Sequence, residues 1–126
     1  MPEHGGQMIV YRREGASAVQ LRPVNGTVWL SQRAIADLYG TSVQNIQQII
    51  TRVLEDGELT EATINSELIV RQEGSRQVGR EVRLFNLDMI LAVGYRVTTR
   101  QAVLFRQWDT TVLKEHLSAN RLIAPV

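Results

Sequence analysis

The sequence predicts an α+β fold: a winged helix-turn-helix-like domain with an N-terminal β-meander, a β-hairpin wing and a closing C-terminal helix. Three observations predict it. Between Leu30 and Leu54, two amphipathic stretches with 3.6-residue periodicity meet at a glycine. Two β-prone stretches separated by a glycine-bearing segment come next, around Ser66–Gln72 and Val78–Asn86. Short strand-like segments precede the helix pair, and a helical stretch follows the hairpin. With 126 residues the chain suffices for one domain with a core. The expected layout is a disordered tail over 1–7, a domain over 8–117 and a second tail over 118–126.

In order along the chain, Met8-Ile9-Val10-Tyr11 reads as a strand, and Arg12 to Gly15 as a turn. Ala18 to Arg22 reads as a second strand, closed by Pro23, Asn25 and Gly26. Thr27 to Leu30 reads as a short third strand leading into the helices. Ser31 stands where an N-cap belongs, because its hydroxyl can accept from an orphan helix N–H. Ala34, Ile35 and Leu38 then mark one buried face, and Gly40 a left-handed helix end. Thr41 or Ser42 caps the second helix, whose apolar stripe runs through Val43, Ile46, Ile49, Ile50, Val53 and Leu54. Ala36, Gly40 and Ile46 supply the small residue, tight turn and aliphatic anchor that a helix-turn-helix needs.

Gly57 reads as the next helix stop, inside an acidic turn from Glu55 to Glu58. The segment from Gly74 to Gly79 reads as a flexible hairpin tip surrounded by Arg71, Arg76, Arg80 and Arg83. Asn86 or Asp88 caps a short helix over Met89–Val93, with Gly94 ending or bending it. Thr98 or Thr99 caps a longer helix from Arg100 to about Leu117, with Ala102, Phe105, Trp108, Val112 and Leu113 on its core side.

Composition narrows the function. No apolar run approaches the ~18 residues of a membrane span, and the N-terminus lacks a signal-peptide pattern. Absence of cysteine excludes disulfides and thiolate metal sites, and a cytoplasmic location is expected. No metal or other cofactor is expected, since the only histidines are His4 and His116. The net charge of +1 does not by itself indicate a polyanion partner, so any phosphate-binding surface must come from uneven placement of charge. Of the 14 basic residues only Lys114 is lysine, and arginine suits bidentate contacts to phosphate and guanine, although a general bias toward arginine would look the same.

The outward face of the second helix carries Ser42, Gln44, Asn45, Gln47, Gln48, Thr51 and Arg52. Solvated faces usually carry Glu–Lys pairs; amides and Arg instead match the edges of adenine and guanine. The residues expected at a duplex DNA interface are Gln32 and Arg33 at the first helix start, Ser42, Gln44, Asn45, Gln48 and Arg52 on the second helix, and Arg76 and Arg80 on the wing. Among these, Gln44, Asn45 and Gln48 are the expected base readers, and Arg76 and Arg80 the phosphate contacts.

Several segments resemble the virulence-associated RhuM family: Thr27-Val28-Trp29-Leu30-Ser31-Gln32, Ile35 to Gly40, Glu58-Leu59, Phe85 to Val97, Phe105-Arg106-Gln107-Trp108 and Val112 to Glu115. The resemblance runs from about Met8 to Leu117. A helix pair followed by a closing helix with Phe-Arg-Gln-Trp is also similar to the Bro-N domain of phage antirepressors. The resemblance implies a bacterial or prophage-derived protein with a DNA-binding N-terminal domain. Some similar proteins carry this domain ahead of Fic-type modules; this sequence lacks the His-Pro-Phe-containing motif, so that activity is not carried over. Three departures stand out. Gly74-Ser75-Arg76 replaces Asp-Gly-Lys at the wing, Asp109 stands where a small residue is usual, and the pattern stops after Leu117. The last suggests a natural short form or a cut piece of a longer chain.

Two functions follow as expectations: a DNA-binding transcriptional regulator or virulence-associated factor, or alternatively an antirepressor-like protein-interaction or dimerisation module. A homodimer fits either one, and the Arg100–Leu117 segment either supplies its interface or simply closes the core. No enzyme activity is expected, because no phosphate loop or nucleophile set is present. A two-carboxylate site among Asp37, Asp56, Asp88 and Asp109 would be the exception.

Overall fold

The computed structural model describes residues 8–13, 18–24 and 26–113; among them lie five strands and four α-helices. The expected tails, both histidines and the helix end near Leu117 fall outside the described residues. In chain order the elements are β1 (Ile9–Tyr11), β2 (Val19–Val24), β3 (Thr27–Ser31), α1 (Gln32–Tyr39), α2 (Val43–Glu55), β4 (Ile64–Glu73), β5 (Arg76–Asn86), α3 (Leu87–Arg96) and α4 (Arg100–Trp108). The class is α+β, as expected.

The strands form one antiparallel sheet in the order β1-β2-β3-β5-β4. The meander β1–β2–β3 is thus continuous with the later hairpin, because β3 pairs with β5 through Trp29–Asn86, Leu30–Phe85 and Ser31–Leu84. Burial alternates along β2, which puts Val19, Leu21 and Pro23 on the inner face. Two strands enter helices with no intervening residue. Ser31 closes β3 while its hydroxyl accepts from Ala34 N–H at 3.2 Å, and Asn86 closes β5 while its side chain accepts from Met89 N–H at 3.1 Å. Of the two caps the sequence offered for α3, the strand end takes Asn86, and Asp88 lies in the first turn.

α1 ends at Gly40 with φ of 67°, and Ser42 caps α2 by accepting from Asn45 N–H at 3.0 Å. A side chain at position 40 would also meet the Gln101 amide nitrogen at 2.7 Å. α2 buries Ile46, Ile49, Ile50 and Val53; each such burial contributes about 1.5–3 kcal/mol. α3 packs on α2 and α4 on α1, and Phe105 of α4 stacks edge-on with Tyr39 and Tyr11.

Three expectations need correction. The hairpin tip is not the six residues 74–79: β4 and β5 stay paired out to Glu73–Arg76, so only Gly74 and Ser75 turn. Gly74, with φ of 64°, makes that two-residue connection cheap. The helix over Met89–Val93 extends from Leu87 to Arg96, with Gly94 buried inside it rather than ending it. The reason is Tyr39: a Cβ at position 94 would lie 2.5 Å from its hydroxyl. Finally, α4 is regular only to Trp108; Asp109–Leu113 continues as a wider π-type turn. Ala102, Phe105 and Leu113 are buried there and Trp108 is half-buried. The Val112 side chain lies outside the described residues.

Candidate functional site

The stripe that buries α2 leaves its opposite face outward by helical geometry. Gln44, Gln47, Gln48, Thr51, Arg52 and Glu55 are exposed and line one shallow surface. Gln44, Gln48 and Arg52 therefore stand together in solvent, as expected from the periodicity. Asn45 differs: it is half-buried, and its side-chain amide donates to Thr41 Oγ1 at 3.0 Å. Its carboxamide is committed to the turn between the helices, and Gln47, one position outward from the stripe, is exposed instead. Thr51 donates its hydroxyl to the Gln47 carbonyl at 2.9 Å. Ser42 is exposed, but its oxygen serves the helix cap.

A second concavity, of about 620 Å³, joins the helix pair to the hairpin. Gln32 and Arg33 from the start of α1, Gln47 from α2, and Arg71, Glu81 and Arg83 from β4 and β5 line it. Strand alternation sets Arg71 on the hairpin face of Ile69 and Val82, and sets Glu81 and Arg83 on the other face, so these charged groups border the groove from two sides. Among the described residues, none of Arg33, Arg71 and Arg83 makes an ion pair with a carboxylate. Arg83 sits with its guanidinium carbon 5.5 Å from the Phe85 ring centroid, which fixes the cation by its stem and ring contact. The sequence sets Arg71 and Arg83 around the tip and gives no sign that they line this groove. The signal was strand pairing: once the hairpin is paired throughout, these residues sit nearer the sheet and helices than Arg76 and Arg80.

The two wing arginines expected to hold phosphate lie farther out. Arg76 is exposed and opposite Glu73 in the ladder. Arg80 is engaged on both sides of its fork by Glu73, Nε to Oε2 and Nη2 to Oε1 at 3.0 Å each. That pair neutralises part of the hairpin's outer end.

The acidic turn after α2 also has an internal role. Arg96, at the end of α3, donates to Asp56 at 3.2 Å and to Glu58 at 2.9 Å, and so joins the ends of α2 and α3. Asp37 pairs with Arg13, and Asp109 is buried. Among the described residues, no cluster of three or more His, Cys, Asp or Glu could hold a metal ion. No described helix is long and apolar enough to cross a membrane.

An α+β domain with an outward amide-bearing helix beside an arginine-lined hairpin is thus the class that these elements define. The model described as Virulence protein RhuM family matches residues 62–123, so this segment is similar to that family. The match takes in β4, β5, α3 and α4, whereas the helix pair lies before it. No curated protein and no solved structure matched the chain.

Proposed function

We propose that this chain, RhuM-like over residues 62–123, is a DNA-binding protein, a transcriptional regulator or prophage-derived virulence-associated factor, that seats α2 in the major groove and the β4–β5 hairpin against the phosphate backbone. The observation that carries the reading is the groove lined by Gln47 of α2 together with Arg33, Arg71 and Arg83, the last two from opposite faces of the hairpin. A duplex presents base edges and phosphates within one such span, and amides beside guanidiniums match both. The connectivity β3–α1–α2–β4–β5, with β3 beside β5, is the layout expected of a winged helix. Gln44, Gln47 and Gln48 would read bases; Arg52 and the groove arginines would hold phosphates. Arg76 would add a contact at the outer end, and Arg80 would do so only by leaving Glu73.

Fluorescence anisotropy with random duplex DNA at low salt tests this. Binding at micromolar protein that weakens steeply with salt is expected. A folded chain that binds no duplex at micromolar concentration sinks the reading. A second reading, a protein-interaction module, draws on one observation: Leu68, Val70 and Tyr95 are large apolar side chains left 69%, 58% and 73% exposed. If Arg71→Ala and Arg83→Ala leave a partner complex intact but abolish DNA affinity, the first reading gains; the reverse result favours the second.

A further inference from the structure

We propose that two copies of this chain join edge to edge along β4, antiparallel, in the register that places Ile69 opposite its own symmetry mate. The proposal does not rest on the DNA reading, although Arg71, assigned to phosphate there, is paired with Glu67 of the second copy here.

Among the described residues β4 pairs only with β5, so its other edge presents unpaired N–H and C=O groups. The strand runs for 10 residues, about twice the usual strand length. Long exposed edges are normally blunted by Lys, Pro, bulges or a covering element. β4 contains neither Lys nor Pro, and its pairing with β5 runs residue for residue from Ile64–Phe85 to Glu73–Arg76 with no bulge.

The strand's own sequence fits its antiparallel copy. An antiparallel ladder opposes only residues of matching orientation, so a two-fold pairing must be centred on a residue. Centred on Ile69, Glu67 faces Arg71 of the other copy and Leu68 faces Val70, each twice by symmetry. Asn65 then faces Glu73, and Ser66 faces Gln72. Four exposed aliphatic side chains meet on one face, two opposite-charge pairs form on the other, and no like charges are opposed. Neighbouring registers lose this. A centre on Glu67 or Arg71 opposes a charge to itself, a centre on Val70 sets Glu67 against Glu73, and a centre on Leu68 leaves Glu67 facing Ile69. The occupant is therefore a second copy of this chain. Because opposed residues share a face, the two α2 helices end on the same side of the merged sheet.

The test is sedimentation equilibrium on the full chain from low to high micromolar concentration, with folding checked by circular dichroism. The wild-type chain is expected to dimerise. Arg71→Glu or Glu67→Arg should weaken self-association by about tenfold or more, by setting like charges opposite one another. The double reversal Glu67→Arg with Arg71→Glu should restore it. The chain has no cysteine, so Ile69→Cys also reports the register directly. Opposed Cα atoms about 4.5–5.5 Å apart suit a disulfide, whereas two copies of Glu67→Cys would be about 13 Å apart and should stay reduced. A monomeric wild type overturns the proposal. So does a dimer that survives Arg71→Glu, a folded double reversal that stays monomeric, or cross-linking at position 67 instead of 69.

Discussion

Tyr39 ends α1 with its ring buried and its hydroxyl donating to the Ile90 carbonyl at 2.6 Å, in space that Gly94 leaves open. Arg106 reaches the Gly94 carbonyl at 2.6 Å from the next helix. Burial raises the Tyr39 pKa above its ordinary value of 10.0; Arg106 opposes the shift and Asp109 adds to it. The sign follows from proton counting. Above that ordinary value the unfolded tyrosine ionises while the folded one keeps its proton, so stability present at neutral pH is lost as pH rises. Tyr39→Phe should therefore flatten the alkaline limb of a stability–pH curve measured in denaturant. At neutral pH the same change should cost about 1 kcal/mol for the lost hydrogen bond. Gly94→Ala should cost about 1–3 kcal/mol by overpacking, and combining it with Tyr39→Phe should cost less than the sum of the two. Denaturant midpoints of the three variants check this. None of it was legible in the sequence: a glycine inside a helix looks like a stop, and its partner is a tyrosine more than fifty positions away.

At the scale of elements, the helix ends were the most legible part, because capping is local chemistry. Ser31, Ser42, Asn86 and Thr99 each accept from the backbone N–H three residues on. Thr99 does more than its position shows, since its hydroxyl also donates to the Tyr39 carbonyl at 2.6 Å and ties the end of α1 to the start of α4. Gly40→Ala should lose about 1–2 kcal/mol from the left-handed backbone alone, plus a collision with Gln101. Adding Gln101→Ala should recover only the collision. Thermal unfolding of the single and double variants separates the two contributions. The hairpin was less legible. Gly74 and Gly79 bracket what reads as a loose tip, yet Gly79 is paired with Val70 and packs beside Leu68. The Asn45 contact was hidden for a similar reason, since helical periodicity says which way a residue points and not what the preceding turn offers it.

At the scale of the molecule, the pairing of β3 with β5 was the feature that local patterns could not supply, because it joins segments more than fifty residues apart. That pairing brings the arginines of the hairpin to the helix pair. If the groove holds phosphates, Arg71→Ala and Arg83→Ala should each weaken duplex binding across all sequences and lower the salt slope by about 0.9. Arg76→Ala should do less, from the outer end. Gln48→Ala should change the preference among sequences while leaving the salt slope as it was. Anisotropy titrations at several salt concentrations distinguish these outcomes.

Ser31 and Asn86 are each the final residue of a strand and the cap of a helix, two positions apart across the ladder. At these two junctions no loop residue separates strand from helix. A load applied to the hairpin should therefore pass through β5 and β3 into α1 and α3 as through a single lever. In native-state hydrogen exchange the amides of β3, β5 and the first turns of both helices should open together, with one shared free energy, instead of as separate units.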